Sequence, residues 1–284
     1  MIEGTCLCGA LRYAVDAPFD AMLHCHCSMC RKHHGAAFAT FVGAPHAAFR
    51  WISGKDDVAR YPSSDHGTRG YCRRCGSVAP LEMPEAGAAF LPAGNLTGDP
   101  GIRPQSHMFV GSKASWYTIA DDLPQHAAYP PELGGGAGVD RPAMPHRAGV
   151  IGGSCLCGEV ACEVDPDGLL RMMNCHCSRC RRARSAAHAS NLFVALDRFR
   201  WLRGEELVER YKVPEAQSFT IAFCTRCGGK VPRVAPERSW AVVPAGALDT
   251  DPGMRPQAHI FVGSKASWFE IRDDVPQHEA LPPA

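Results

Sequence analysis

The chain repeats itself over almost its whole length, and this duplication limits the possible folds more than any other feature. The stretch GTCLCGALRY at Gly4 returns as GSCLCGEVAC at Gly153, and CHCSMCRK at Cys25 returns as CHCSRCRR at Cys175. Near the end of each copy, RPQSHMFVGSKASWY at Arg103 returns 152 residues later as RPQAHIFVGSKASWF. Solenoid repeats are only about 20 to 50 residues long, so this period indicates two copies of one domain.

The segment between the copies, PPELGGGAGVDRPAMPHRAG, is rich in glycine and proline and is typical of a linker. We therefore predict a first domain over residues 1–130, a linker over 131–149 and a second domain over 150–284. Segments such as LRYAV and SFTIAFC are short and β-branched or aromatic, which predicts strands. We expect a mainly β fold, with the cysteine motifs on strands and on turns at the sheet ends.

The chain has fifteen cysteines but no apolar run long enough to cross a membrane and no visible secretory signal. These features predict a cytoplasmic protein without membrane contact. Because the cytosol keeps thiols reduced, the cysteine spacings indicate metal or redox chemistry rather than disulfides. A net charge of +1, with basic runs that are short and lack alternating aromatics, argues against nucleic acid as a partner.

Seven cysteines recur in each copy, and their spacing divides them into a set of four and a set of three. A C-x-C near the start and a C-x-x-C followed by glycine predict two closed four-thiolate zinc sites: Cys6, Cys8, Cys72 and Cys75, and Cys155, Cys157, Cys224 and Cys227. The central C-x-C-x-x-C motifs supply three each: Cys25, Cys27 and Cys30, and Cys175, Cys177 and Cys180. Three protein ligands and one open position are typical of catalytic zinc, and the open position suits a small thiol such as glutathione. The fifteenth cysteine, Cys162, falls opposite Tyr13, so we expect a packed, inert thiol.

A histidine is the main alternative for closing each three-cysteine site. His26 and His176 lie inside the C-x-C motifs, and His107 and His259 recur in RPQ-x-H. We expect all four to be hydrogen-bonded structural residues. For His26 and His176 the reason is that an extended C-x-C points its middle side chain away from the sulfurs. An iron–sulfur cluster is disfavoured, because its usual motifs supply four cysteines.

Basic residues follow each three-cysteine motif: Arg31 and Lys32 in the first copy, and Arg181, Arg182 and Arg184 in the second. Arginine pairs well with carboxylates, so these residues could recognise an anionic substrate. They could also neutralise a thiolate-rich metal centre. We favour the second interpretation, and the two are compatible.

At these motifs the chain resembles the glutathione-dependent formaldehyde-activating enzymes, whose domain is shared with centromere protein V. The resemblance rests on GTCLCGALRY, CHCSMCRKHHG, CRRCGS, HMFVGSKASWY and their second-copy counterparts. It implies two zinc-bearing domains of the β-tent type, with the sets of four cysteines on structural zinc and the sets of three on catalytic zinc. It also implies a carbon–sulfur lyase that joins glutathione, or a related thiol, and formaldehyde, or another small aldehyde, into a product such as S-hydroxymethylglutathione.

The chain departs from the family pattern in being a tandem and in several residues of its second copy. Ser185 replaces Gly35, His188 replaces Phe38, and CGGK stands where the first copy has CGS. These changes leave the substrate open. The alternative function is a non-catalytic zinc module that binds a thiol, a protein or a nucleic acid. Zinc or copper storage is disfavoured, because long folded β segments surround the cysteines.

Overall fold

The repeat builds the same set of strands twice. The protein is described here from a computed structural model that covers residues 1–16, 18–65, 67–133 and 143–282. The first half, residues 1–133, contains helix α1 (Ser28–His34) and strands β1 (Ile2–Thr5), β2 (Arg12–Val15), β3 (Ala21–Cys25), β4 (Ala39–Pro45), β5 (Phe49–Ser53), β6 (Val58–Ser64), β7 (Gly67–Cys72), β8 (Leu81–Met83), β9 (Ala88–Pro92), β10 (Ser106–Met108) and β11 (Gln125–His126). The second half, residues 143–282, contains helix α2 (Ser178–Arg184) and strands β12 (Ile151–Ser154), β13 (Ala161–Val164), β14 (Leu169–Cys175), β15 (Ala189–Ala195), β16 (Phe199–Arg203), β17 (Val208–Lys212), β18 (Thr220–Cys224), β19 (Arg233–Ala235), β20 (Trp240–Pro244), β21 (Ala258–Ile260) and β22 (Gln277–His278).

Short 3-10 turns connect many of these strands. They span His46–Ala48, Lys55–Asp57, Pro84–Ala86, Ala93–Asn95, Val110–Ser112, Pro131–Leu133, Pro166–Gly168, Leu196–Arg198, Glu205–Leu207, Pro236–Arg238, Ala245–Ala247 and Val262–Ser264. Nearly all of them fall at matching places in the two halves. The mainly β fold predicted from the sequence is confirmed, with two similar sheet-rich halves.

Each half arranges its strands in three sheets of the same order. The first half has a three-stranded sheet β1-β2-β5, a six-stranded sheet β11-β10-β3-β4-β9-β8 and a hairpin β6-β7. The second half repeats them as β12-β13-β16, β22-β21-β14-β15-β20-β19 and β17-β18. Most pairs are antiparallel, but β10 runs parallel to β3 and to β11, as β21 does to β14 and β22. The central strands β3 and β14 end at Cys25 and Cys175. The three-cysteine motifs therefore lie where the central strands of the large sheets end.

Alternation of side chains along the central strands produces the core. In β4, Val42 and Ala44 face inward and are almost fully buried, and in β15 Leu192 and Val194 do the same. These residues of both halves belong to a single cluster of buried side chains. The two halves therefore share one hydrophobic core, and burial of apolar surface holds them together.

Helices α1 and α2 are short because each is capped by a cysteine of its three-cysteine motif and ends at a residue with a left-handed backbone conformation. Cys27 caps α1 by accepting a hydrogen bond from the Cys30 backbone amide, and the helix ends at Gly35 with φ +65°. In α2 the ending residue is Ser185, with φ +54°. Its hydroxyl accepts a hydrogen bond from the backbone amide of Val78 in the first half, 2.9 Å away, which offsets the strain of a left-handed serine.

The expected placement of the cysteine motifs on strands and turns is wrong for Cys30 and Cys180. Both lie inside the helices, in the turn that the capping cysteines Cys27 and Cys177 begin. A C-x-x-C spacing satisfies a turn and the first turn of a helix equally well, because side chains three residues apart lie on one helix face.

The contact between the halves also contains a buried ion pair. Lys32 of α1 reaches across the interface, and its ammonium lies 2.7 Å from a carboxylate oxygen of Asp249. His146, from the second part of the predicted linker, donates through Nε2 to the same carboxylate at 3.0 Å. Residues 134–142 of that linker lie outside the described residues, and the domain boundaries stay a prediction.

Within the described parts of the chain, the structure has no helix of the length and apolar character needed to cross a membrane.

Candidate metal centres

The first four-cysteine set comes together from two distant parts of the first half. Cys6 and Cys8 lie in the turn after β1, and Cys72 and Cys75 lie at the end of β7 and in the turn that follows. The four sulfurs lie within 4.8 Å of one another, with Cys6 and Cys8 3.4 Å apart and Cys8 and Cys72 3.7 Å apart. The backbone amide of Leu11 donates to the Cys6 sulfur at 3.3 Å. Such an amide contact favours a thiolate.

The second four-cysteine set has the same geometry. Cys155 and Cys157 are 3.4 Å apart, Cys157 and Cys224 are 3.8 Å apart, and Cys227 completes the group within 4.8 Å. A tetrahedral site with zinc–sulfur bonds of about 2.3 Å has sulfurs about 3.8 Å apart. The donor type, the number of donors and these separations all fit a closed zinc site.

The C-x-x-C turns of the two four-cysteine sets pack against each other across the interface. Gly76 follows Cys75 with φ +69°, and a Cβ there would lie 2.5 Å from the ring of Phe223. Gly228 follows Cys227 with φ +68°, and a Cβ there would lie 2.3 Å from the ring of Tyr71. Each glycine is thus required both by its backbone conformation and by an aromatic ring from the other half.

Lys230, the lysine of the unusual CGGK segment, lies between these two turns. Its ammonium donates to the carbonyl oxygens of Gly76 at 2.6 Å, Gly228 at 2.9 Å and His33 at 3.1 Å. Complete burial lowers the pKa of Lys230 to about 7, and the nearby cysteines oppose part of that fall. Lys230, which is part of the second copy's departure from the family pattern, therefore makes hydrogen bonds to residues of both halves.

The three-cysteine sets gather at the start of the helices. Cys25 ends β3, Cys27 caps α1 and Cys30 lies in the helix, with the sulfurs of Cys25 and Cys27 3.6 Å apart. Cys175, Cys177 and Cys180 repeat this arrangement on β14 and α2. Among the described residues, no histidine, carboxylate or fourth cysteine places a ligand atom within 4.8 Å of all three sulfurs in either set.

The recurring histidines are turned away from these sulfurs, as the sequence predicted. His26 Nε2 lies 2.8 Å from His107 Nδ1, and His107 Nε2 lies 3.0 Å from the carboxylate of Asp121. The second half repeats the chain with His176, His259 and Asp273. Burial lowers the pKa of His26 to about 3 and that of His176 to about 2, so both rings are neutral near pH 7.

Hydrogen bonds within each three-cysteine set stabilise one thiolate. Cys25 and Cys27 hold the pKa of the Cys30 thiol well below its usual value, and Arg69 adds to the effect. In the second half, hydrogen bonds with Cys175 and Cys180 lower the pKa of Cys177 to about 3. Thiolates are the form of cysteine that binds metal, so these sets are suited to it.

A different arginine lies beside each three-cysteine set. In the first half, Arg69 of β7 donates to the Cys30 sulfur at 3.4 Å. In β18 the matching position is Ile221, since each pairs with the tyrosine of the neighbouring strand. The second half instead has Arg184, the last residue of α2, which is buried beside Cys180. Sequence analysis missed Arg69, because it lies 39 residues after Cys30 and next to the four-cysteine motif instead.

The favoured interpretation of the basic residues as neutralising the metal centre is wrong for Lys32. Its charge is paired with Asp249 of the other half, and it also donates to the Ser154 hydroxyl and carbonyl. Arg181 donates to the carbonyl of Ser264 at 3.1 Å. Of the residues named from sequence, Arg184 is the one that borders the three-cysteine set and a cavity.

Cys162 is confirmed as a packed thiol outside the four metal-type groups. It is 2% exposed, and burial raises its pKa to about 12. A thiol with so high a pKa is protonated at neutral pH and is neither a nucleophile nor a ligand.

The fold and these groups define a class of protein: a mainly β chain in two similar halves, each with one four-cysteine and one three-cysteine group that could hold a metal ion. A model of the family described as glutathione-dependent formaldehyde-activating enzyme matches residues 1–112 and 150–264, one stretch in each half. Because the two stretches make up most of the chain, the chain belongs to that family, as its motifs predicted. The two matched stretches agree with a tandem duplication.

Individual proteins are similar over shorter stretches. A Halomonas elongata protein that carries the family's name is 26% identical over 127 residues, which are 42% of this chain and 81% of its own. A Schizosaccharomyces pombe protein described as an uncharacterized lyase is 29% identical over 76 residues, or 27% of this chain, which spans about half (53%) of that relative's length. A Rhodobacter sphaeroides protein of known crystal structure matches at 24% identity, with 34% of this chain and 88% of its own covered and a TM-score of 0.28.

Proposed function

We propose that the chain is a zinc-dependent carbon–sulfur lyase that acts on glutathione, or a related small thiol, and a small aldehyde such as formaldehyde. One observation carries the proposal. Each half gathers three sulfurs, in Cys25, Cys27 and Cys30 or in Cys175, Cys177 and Cys180, without a fourth protein ligand among the described residues. That donor number is typical of catalytic rather than structural zinc. The family membership and the lyase name of the fission yeast relative support the same chemistry.

In the proposed reaction the thiol sulfur forms a bond with the aldehyde carbon. The thiol S–H bond and the carbonyl π bond break, and the thiol proton forms the O–H bond of the new hydroxyl, so no oxidant or reductant is needed. Zinc bound by the three cysteines of a set would supply a Lewis-acidic position that favours the ionised form of a small thiol. The protein's own part is to hold three sulfurs in place through a strand end, a helix cap and the first helical turn.

The four-cysteine sets have a different role in this proposal. Each joins segments more than sixty residues apart, Cys6 and Cys8 with Cys72 and Cys75 in the first half, and their packed turns form part of the interface. Metal bound there contributes to folding, because the unfolded chain has no preformed site. We propose that they are structural zinc sites.

Zinc content tests the division between the two kinds of site. The native protein should contain about four zinc ions per chain, and the double variant Cys27→Ser/Cys177→Ser about two, with the far-ultraviolet circular dichroism unchanged. Loss of the fold in that variant would make the three-cysteine sets structural and would remove the basis of the proposal.

Exchange NMR with glutathione and formaldehyde tests the activity itself. The zinc-loaded protein should accelerate the interconversion of free thiol and adduct above the uncatalysed rate, and the double variant should not. The competing function is a non-catalytic zinc module. No acceleration by the native protein, together with retained thiol binding, would favour that module over the lyase.

A further inference from the structure

The two three-cysteine sets differ in how open they are. In the first half all three cysteines are buried, with Cys25 3% exposed and Cys27 and Cys30 4% exposed. In the second half Cys177 is only partly buried. The motifs are nearly identical in sequence, so the difference must come from the residues around them.

A cavity lies beside the second set. It has a volume of about 120 Å³ and is lined by Cys180, Arg184, Asn191, Phe193, Phe219 and Arg233, among others. A water molecule needs roughly 10 to 15 Å³ on this measure, so the cavity can hold a small organic group rather than a single water. Two guanidinium groups and two phenyl rings give it both a positive charge and apolar walls.

The first half carries different side chains at the matching positions: Phe41 stands where the second half has Asn191, and Gly43 and Gly67 stand where it has Phe193 and Phe219. Asn191 pairs with Met173 in β14 and β15, and the matching pair in β3 and β4 is Leu23 with Phe41. The larger phenyl ring of Phe41 packs edge-on against His34 at 5.4 Å, and His34 is the counterpart of Arg184 at the end of the helix. Phe41 also packs against the buried cluster that contains the three cysteines.

The arginines are used differently as well. Arg69 in the first half donates a hydrogen bond to the Cys30 sulfur of its own site. Arg184 in the second half lines the cavity and donates to the Asn191 side-chain oxygen at 3.2 Å through Nη2, while its Nη1 lies beside Gly35 of the first half, where a Cβ would come within 2.8 Å of it. A guanidinium group in the wall of a cavity is suited to an anionic group, and carboxylates pair with guanidinium especially well.

We propose that the two halves have divided their roles: only the second-half site, at Cys175, Cys177 and Cys180, takes the thiol, and Arg184 selects thiols that carry a carboxylate. The inference rests on the proposed function, because it assigns the thiol of that reaction to one half. The first-half three-cysteine site, beside Phe41, His34 and Arg69, does not take the thiol.

Calorimetric titration of the zinc-loaded protein with glutathione tests this division. We expect about one glutathione per chain, and Cys177→Ser should abolish binding while lowering the zinc content from about four to about three ions. Two glutathiones per chain, or one that still binds to Cys177→Ser, would overturn the division of roles and leave the lyase proposal standing. No binding of any thiol to the native protein would overturn both.

A pair of small thiols tests the role of Arg184. The native protein should bind 3-mercaptopropionate at least about tenfold more tightly than 2-mercaptoethanol, because only the first has a carboxylate for the guanidinium. Arg184→Gln should remove that preference, Arg184→Lys should keep part of it, and Arg182→Gln on the same helix should keep all of it. Zinc content confirms that each variant retains its sites. A preference that survives in Arg184→Gln would refute the assignment.

Discussion

Replacement of Lys32 with methionine should destabilise the interface between the two halves. The loss should be larger than for the same kind of substitution at an exposed position. The Lys32 ammonium is 2.7 Å from Asp249 and 2.8 Å from the Ser154 hydroxyl, and the side chains of the ion pair are 6% and 0% exposed. Methionine has a similar length and would fill the same space. The change therefore removes the positive charge but leaves the buried carboxylate in place.

The expected loss follows from that orphaned charge. Removing one partner of a buried ion pair typically costs about 3 to 5 kcal/mol, because the remaining charge keeps its desolvation penalty. Asp249 retains hydrogen bonds from Ser154 and a contact with His146, which favours the lower end of that range. For a chain of this size, about 3 kcal/mol corresponds to a fall in Tm of roughly 6 to 12 °C.

Urea unfolding at saturating zinc, followed by tryptophan fluorescence, measures the change in the free energy of unfolding. Arg182→Met is the matched control, because Arg182 occupies the same position of α2 but has a partly exposed side chain; it should cost less than about 1 kcal/mol. The double variant Lys32→Met/Asp249→Asn should lose about 1 to 3 kcal/mol less unfolding free energy than the two single variants lose together. Equal losses for Lys32→Met and Arg182→Met would refute the reasoning.

The remaining predictions concern packing, pH and metal binding. A Cβ on Gly246 would lie 2.4 Å from the Ala36 backbone of the other half, so Gly246→Ala should cost at least about 2 kcal/mol, whereas Gly98→Ala, with its nearest neighbour at 3.8 Å, should be close to neutral in the same unfolding assay. Burial lowers the pKa of His188 to about 3, so below about pH 6.5 the unfolded chain binds a proton that the folded chain does not, and stability falls as the pH falls. His188→Phe, which installs the first-half residue, should therefore reduce the stability lost between pH 7.5 and pH 5.5 by about 1.4 kcal/mol; an unchanged pH dependence would contradict the assignment. Cys224→Ser should lose about one zinc ion per chain and several kcal/mol of stability, while Cys162→Ser should keep the full zinc content by metal analysis.

The sequence was sufficient to predict the groups of cysteines. The structure brings the sulfurs together in the same four sets, because C-x-C and C-x-x-C spacings fix near neighbours and the duplication shows which motifs belong to one half. The mainly β fold and the family followed from the same motifs. The roles of those cysteines as zinc ligands remain predictions that metal analysis tests.

The helix positions of Cys30 and Cys180 were not predictable from spacing alone. A seven-residue helix is too short to show a clear hydrophobic period, and its formation depends on the Cys27 or Cys177 cap and on packing against the other half. The conformation of such a short segment is decided by tertiary contacts rather than by its local propensity.

The repeat determined, from the sequence alone, that the chain has two similar halves with four groups of cysteines in all. Only the tertiary structure decided that Lys32 pairs with Asp249, 217 residues away, and that the arginine beside each three-cysteine group comes from β7 in one half and from α2 in the other. Motif spacing specifies contacts within a few residues, whereas these contacts depend on how the two sheets and helices pack. Differences such as Phe41 against Asn191 and Gly43 against Phe193 leave the cysteine motif intact but change the shape of the space beside it, and the two nearly identical sites differ in exposure.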